Sequence, residues 1–195
     1  MTPEGPQLAP GAAMSVRTRP ATEDDVADLT RMHLAAMAET LDSKGGPNLV
    51  ATVGRGPQDR TRSSFREELR EPTSDVIVAS LAPGEETTGE SSRSAEVVLG
   101  YGVLRYPGPE AVGDEAPVAV IRELWVDPRA RRIGMGTALL ERACDAALEH
   151  GCGGVDSLAL PGDRATKNFF ENHSMVARAI VVHRGLLPAD DRSGD

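Results

Sequence analysis

The chain has little cysteine, few aromatic residues, no excess of positive charge and no long apolar run, and each shortage excludes a class of protein. Two cysteines, Cys144 and Cys152, in 195 residues are too few for a disulfide framework, and neither has the His or Cys neighbours of a zinc site. A reducing compartment, the cytoplasm, fits best, and no metal is implied. Aromatic residues make up 3% of the chain, so the core has to be built from Val, Leu, Ile and Ala. Lys and Arg number 21 against 30 Asp and Glu, a formal charge of −9. Nothing offsets repulsion from phosphates, which excludes a generic nucleic-acid partner. The most hydrophobic stretch, Val118 to Val126, is broken by Arg122 and Glu123 and falls short of the ~20 apolar residues that span a bilayer. The N-terminus carries Pro, Gly and Glu before any apolar segment and does not read as a signal peptide. No membrane partner is expected.

What is present reads as one globular domain. Residues 1–13, rich in Pro, Gly and Ala without periodicity, are expected to form a disordered arm, with Met14 offering a second start. Residues 14–186 form the domain, and residues 187–195 a flexible tail. A strand over Ser15–Arg19 leads to a helix opened by Thr22-Glu23-Asp24-Asp25, a capping box with acidic residues at the positive end of the helix dipole. Val26, Leu29, His33, Ala36 and Met37 recur at helical spacing as its buried stripe, which runs to about Leu41. A loop from Lys44 to Pro57 precedes a more polar helix, roughly Asp59–Arg70, ended by Pro72. Asp75–Leu81, Glu96–Tyr106 and Ala116–Val126 read as an antiparallel meander. A helix then carries Leu139, Leu140, Ala143, Ala146 and Ala147 on one face and ends at Gly151. A strand over Val155–Leu160, a short helix over about Arg164–Asn172 and a last strand over Met175–His183 follow. Strand, helix and strand between Val118 and Leu160 form a crossover unit, so those two strands run parallel. The fold class is α/β (α+β): a mixed sheet, mostly antiparallel with one parallel pair, flanked by about four helices.

The segment from Glu123 to Leu140 carries the chemistry. A buried strand ends in Glu123-Leu124-Trp125-Val126-Asp127-Pro128. A cationic loop with Arg129, Arg131 and Arg132 follows, and Gly134 and Gly136 precede the helix. Without side chains at the two glycines an anion approaches the backbone closely, where unpaired amides and the helix dipole point at it. Thr137 adds a hydroxyl, and the arginines add positive charge to an acidic protein. The plain alternative is an ordinary helix start with solvated arginines, which a lone Gly-x-Gly deserves.

The pattern Arg131-x-x-Gly134-x-Gly136 between a Val-rich strand and an Ala/Leu-rich helix resembles the acetyl-CoA motif of the GNAT superfamily of N-acetyltransferases. Arg19-Pro20-Ala21-Thr22-Glu23-Asp24-Asp25 is similar to that family's first strand and helix start. Asp163-Arg164-Ala165-Thr166-Lys167-Asn168-Phe169-Phe170-Glu171-Asn172-His173-Ser174-Met175 is similar to its second signature. The likeness runs from Val16 to about Leu186. It implies acetyl-CoA as co-substrate, with the pyrophosphate held by Arg131, Arg132, Ile133, Gly134, Met135, Gly136 and Thr137. The pantetheine arm would run along Leu124, Trp125 and Val126, where the parallel pair splays, and Asp163, Lys167 and Phe170 would complete the cofactor site. The implied activity is direct transfer of acetyl to a primary amine, of a small molecule or a protein, in a ternary complex.

The departures from the family pattern matter as well. Phe170 stands where many relatives place the Tyr that protonates the departing thiolate, Asp163 replaces Asn, Thr166 replaces Ala, and Ser174-Met175 replaces Gly-Phe. General-acid help is worth typically ~10²–10⁴ in rate, so a weakly active or inactive CoA-binding sensor or interaction module stays open as the alternative. Glu123 is the candidate base, since alternation puts it on the face of Ile121 and Trp125; the competing reading is a structural ion pair with Arg122, Arg105 or another strand neighbour. His33 and Met37, on the first helix, are candidates for the acceptor side, although a lone His on an apolar face is more often a satisfied core residue. The last strand offers a contact for a homodimer.

Overall fold

In the computed structural model, the residues described are 14–43, 45–83, 96–108, 116–160 and 162–180. The chain divides into two compact units between Asp163 and Arg164. The expected disordered arm, most of the Ala82–Ser94 and Pro107–Glu115 linkers and the expected tail lie outside the described residues.

The first unit is built on five strands, β1 (Met14–Pro20), β2 (Ser74–Pro83), β3 (Val97–Arg105), β4 (Val118–Val126) and β5 (Gly154–Ser157), adjacent in that order. The first three pairings are antiparallel, and β4 and β5 run parallel. The crossover between them is α4 (Met135–Glu149), with Met135, Leu139, Leu140, Ala143, Ala146 and Ala147 buried, the stripe that the helical period requires. The opposite face of the sheet is covered by α1 (Val26–Leu41) and α3 (Gln58–Glu68). There Val26, Leu29, Met32 and Phe65 pack with Val76, Val78, Val98, Tyr101 and Val103 as one cluster. With two covered faces, β2 is buried from Val76 to Ser80 without alternation, as sheets under two layers are.

The capping box forms around Asp25, which is buried. Its carboxylate accepts the Thr22 backbone N–H at 2.7 Å and a forked pair from Arg19 at 2.7 and 2.9 Å. That ties the end of β1 to the start of α1, and the Arg19 pairing overrides the cost of burial to hold the Asp25 carboxyl below the ordinary range.

Two expectations about the secondary-structure elements need correction. Part of the Lys44–Pro57 loop is a helix, α2 (Gly46–Val53), one of five α-helices among the described residues. Its glycines and proline read as loop signals, yet Gly45 sits at φ +84 as the left-handed turn before the helix, and Pro47 lies in the first turn, where its missing N–H costs nothing. An added Cβ on Gly46 would lie 1.8 Å from the Thr40 carbonyl oxygen, so close approach to α1 demands glycine there. The last strand does not form over residues 175–180, where Val176 and Ile180 are 79% and 87% exposed and bury no face. Residues 181–183 lie outside the described set.

The second unit holds α5 (Arg164–Asn172). Within it Phe169 packs against Phe170 at 5.3 Å and against His173 at 4.5 Å between ring centres.

Candidate functional site

The parallel ladder joins Val118–Ile121 to Gly154–Ser157 and stops there. Beyond it β4 continues through Val126 with no β5 partner among the described residues, so the edge from Arg122 onward is open on that side. At its end Asp127 accepts the Arg129 backbone N–H at 3.0 Å and opens a short 3₁₀ turn, Pro128–Ala130. The chain then passes twice through the left-handed region, at Arg132 (φ 65) and Gly134 (φ 90), before α4 begins.

Ala138 is the first residue whose N–H finds a carbonyl inside α4, that of Gly134 at 2.9 Å. The N–H groups of Met135 and Gly136 precede it and have no carbonyl behind them in the helix. A Cβ built on Gly134 meets nothing within 4 Å, so the space over the turn is open. Backbone donors, the positive end of a 15-residue helix and open space above a left-handed glycine fit a diphosphate. Arg132 and Ile133 are exposed beside it, while Met135 is buried in the core beneath.

The arginines expected to lend charge here are already engaged. Arg129 folds back onto Asp127 at 2.7 and 2.9 Å, and this pairing lowers the Asp127 carboxyl to about 2. Arg131 makes a two-pronged pair with Glu39 of α1, at 2.7 and 2.6 Å, and donates through Nε to the Val126 carbonyl at 2.9 Å. The indole N–H of Trp125 reaches the same Glu39 carboxylate at 3.0 Å. Glu39 thereby bridges α1, the end of β4 and the turn before α4, and the Arg131 hydrogen bonds hold its carboxyl below the ordinary range.

Glu123 lies deeper in the same strand and does not share a face with Ile121. The register slips at Arg122: Val103 opposes Glu123, but Leu104 opposes Ile121. This β-bulge puts Ile121 on the α4 side and Glu123, with Trp125, on the α1 side. There Glu123 is 9% exposed and accepts four hydrogen bonds. His33 Nδ1 and the Tyr101 hydroxyl reach Oε2, each at 2.8 Å, and Arg55 reaches Oε1 through Nε at 3.1 Å and Nη2 at 2.7 Å. The Arg55 backbone N–H donates to His33 Nε2 at 3.2 Å. Because a backbone N–H only donates, Nε2 accepts and the ring proton sits on Nδ1, directed at Glu123. Burial alone would push the Glu123 carboxyl up, and the His33 hydrogen bond and the Arg55 charge outweigh it, so the group stays ionised with its pKa lowered. Burial and the adjacent carboxylate push the Tyr101 hydroxyl well above its ordinary value, so it remains a donor.

Of the residues expected at the site, Glu123 and His33 are thus in direct contact, while Trp125, Val126 and Arg131 converge near the cradle. Met37 is half-buried one turn beyond His33 on α1, and Leu124 lies on the α4 side, facing Gly102. Asp163 closes the first unit, its N–H on the Leu160 carbonyl at 3.1 Å. Lys167, paired with Glu171 at 3.1 Å, and Phe170 belong to α5 in the second unit. Sequence reasoning missed Arg55, Tyr101 and Glu68. The signals were slight: a tyrosine between two glycines in an aromatic-poor strand, and an arginine between Gly54 and Gly56 in an otherwise uncharged stretch.

The sequence profile described as the acetyltransferase (GNAT) family matches residues 53–174. No curated protein matches the sequence. Among solved structures, a transcriptional regulator from Bacillus halodurans C-125 is similar with TM-score 0.61 and 20% identity, covering 88% of this chain and 100% of that one. An aminoglycoside N-acetyltransferase, AAC(6')-Iy, in complex with CoA has TM-score 0.60 and 16% identity, covering 92% and 100%. A glucosamine-6-phosphate N-acetyltransferase from Arabidopsis thaliana has TM-score 0.57 and 17% identity, covering 88% and 99%. At such identities these likenesses carry the fold alone.

Proposed function

Since the chain belongs to the GNAT acetyltransferase family, we propose that it moves the acetyl group of acetyl-CoA directly to a cationic primary amine in a ternary complex. The observation that carries this reading is the end of β4, open along one edge and running into a left-handed turn with open space over Gly134 at the start of a helix. Arg132, Ile133, Gly134, Met135, Gly136 and Thr137 would hold the diphosphate, and Leu124, Trp125 and Val126 the pantetheine, with Arg131 exchanging Glu39 for the ligand. Asp163, at the end of the same unit, is proposed to add a further cofactor contact. The bound thioester supplies an activated acyl carbon and a thiolate leaving group.

The acceptor arrives as an ammonium and must lose a proton before its lone pair can attack. Glu123 is proposed to take that proton, with His33 and Tyr101 holding Oε2 in place, and Met37 to line the acceptor's path. As the N–C bond forms and the C–S bond breaks, the second nitrogen-bound proton ends on the departing sulfur. A net charge of −9 favours cationic acceptors by long-range attraction, and two of the similar structures are named for amino-sugar acceptors. The two free cysteines suit a cytoplasmic setting.

Titration calorimetry with acetyl-CoA, followed by a free-thiol assay over a panel of amines, tests the reading. Binding is expected, with thiol release that depends on amine; Gly134→Asp, which puts a carboxylate into the cradle, should abolish binding. Retained affinity in that variant would remove the site. Phe170, which has no hydroxyl, favours a second reading, a CoA-binding module without turnover, and saturable binding without thiol release would select it. Glu123→Gln should lower kcat/KM by about 10²-fold or more and change its pH profile; an unchanged profile rules Glu123 out as the proton acceptor.

A further inference from the structure

Arg55 enters the core from the four residues between α2 and α3, and its side chain is 8% exposed. Around it stand two carboxylates, a hydroxyl and an aromatic face. Nε and Nη2 donate to Glu123 Oε1, while Nη1 donates to Ser64 Oγ at 2.7 Å and to Glu68 Oε2 at 3.0 Å. The guanidinium carbon lies 4.2 Å from the centre of the Phe65 ring. Forked carboxylate contacts together with a π-face make a receptor for a cation that carries several N–H groups.

Three features set this apart from an ordinary buried ion pair. The same residue covers both working ends of the His33–Glu123 pair: its side chain takes Oε1, and its backbone N–H takes His33 Nε2. The pocket does not depend on its occupant. Without Arg55, Glu123 keeps Tyr101 and His33, and Glu68 keeps Ser74 and the charge of Arg105, whose Nε lies 2.7 Å away. Arg55 is also carried on a short connection with Gly54 before it and Gly56, at φ +88, after it.

We propose that Arg55 is a built-in occupant of the acceptor's cation pocket, and that a cationic amine enters by displacing its guanidinium from Glu123, Glu68 and Ser64. Displacement frees Oε1 of Glu123 and Nε2 of His33 together, two acceptors for the incoming ammonium, whereas a neutral or anionic group has nothing to offer the paired carboxylates. The inference rests on Glu123 as the proton acceptor only for its chemical consequence, not for the pocket itself. Where the protein is competent for only a fraction of the time, the apparent affinity for the acceptor falls by that fraction, so Arg55 sets both the selectivity and the KM.

The test uses the full chain with Arg55→Ala and Arg55→Lys. Millimolar methylguanidinium, compared with sodium chloride at equal ionic strength, is expected to raise the Tm of Arg55→Ala and leave the original protein unmoved. It should also inhibit Arg55→Ala competitively against the amine and not against acetyl-CoA. The KM for the amine should fall about tenfold or more in Arg55→Ala, as expected if the open state is populated at about 10% or less, and should fall in the same direction in Arg55→Lys, which cannot fork across both carboxylates. Should Arg55→Ala not fold unaided, refolding in methylguanidinium and the KM of Arg55→Lys decide. Absence of stabilisation, stabilisation without competition against the amine, or a KM that stays the same or rises overturns the proposal. Competition together with an unchanged pH profile in Glu123→Gln leaves the pocket standing and removes only the proton-transfer role.

Discussion

Glu123 shows how the surroundings of one side chain decide its chemistry. A carboxylate under the sheet would ordinarily be neutral, and here four donors keep it charged. Its pKa in the folded protein lies below the ordinary 4.5, so the stability it contributes is fully present above about pH 4.5 and is lost as the pH falls through the folded value. Glu68, held down by Ser74 and Arg55 against burial, acts in the same direction. Urea unfolding at pH 7 and pH 4 should therefore show a loss of stability on acidification that is smaller in Glu123→Gln. An equal loss in both proteins would mean that the carboxylate is not ionised in the native state. Losing one partner of such a buried ion pair costs about 3–5 kcal/mol when it leaves an uncompensated charge. Arg55→Ala falls below that range only to the extent that the remaining donors carry the load.

Among the elements, β3 and α4 join the core to the proposed diphosphate cradle. Gly100 faces α4 so closely that an added Cβ would lie 3.1 Å from Leu139 Cδ1, 3.2 Å from the Trp125 carbonyl and 3.3 Å from Met135 Sδ. Gly100→Ala should destabilise the fold by about 1–3 kcal/mol through overpacking and, because Met135 is the first residue of α4, weaken CoA binding as well. Urea unfolding and calorimetry would check the two effects, and lost stability with full CoA affinity would separate the core from the site. The elements were legible in the sequence to differing degrees. The crossover unit stood out because α4 repeats its apolar stripe over 15 residues between two strand-like runs, the connection that a parallel pair requires. The bulge at Arg122 was hidden, since a period of two does not reveal where one extra residue sits. The α2 helix was masked by Gly and Pro that serve its start. Arg55 meets Glu123 across 68 positions, a contact that no local pattern encodes.

Across the whole molecule, charge would work against one of the proposed ligands and for the other. On the proposed function, the excess of acidic residues would repel CoA and draw in a cationic amine, while Asp127 and Glu39 neutralise Arg129 and Arg131. Raising the ionic strength from about 20 to 200 mM should therefore reduce kcat/KM for a dicationic amine more than for a monocationic one, through the association rate; equal responses in stopped-flow association would rule out steering. The slip at Arg122 has one more consequence. That residue is exposed, so replacing its side chain should be cheap, but excising the residue would restore the pleat and rotate the following carboxylate through the sheet to the wrong layer. At this position the chain is constrained in length far more than in spelling, and a single-codon deletion there should silence the protein where almost any missense change is tolerated.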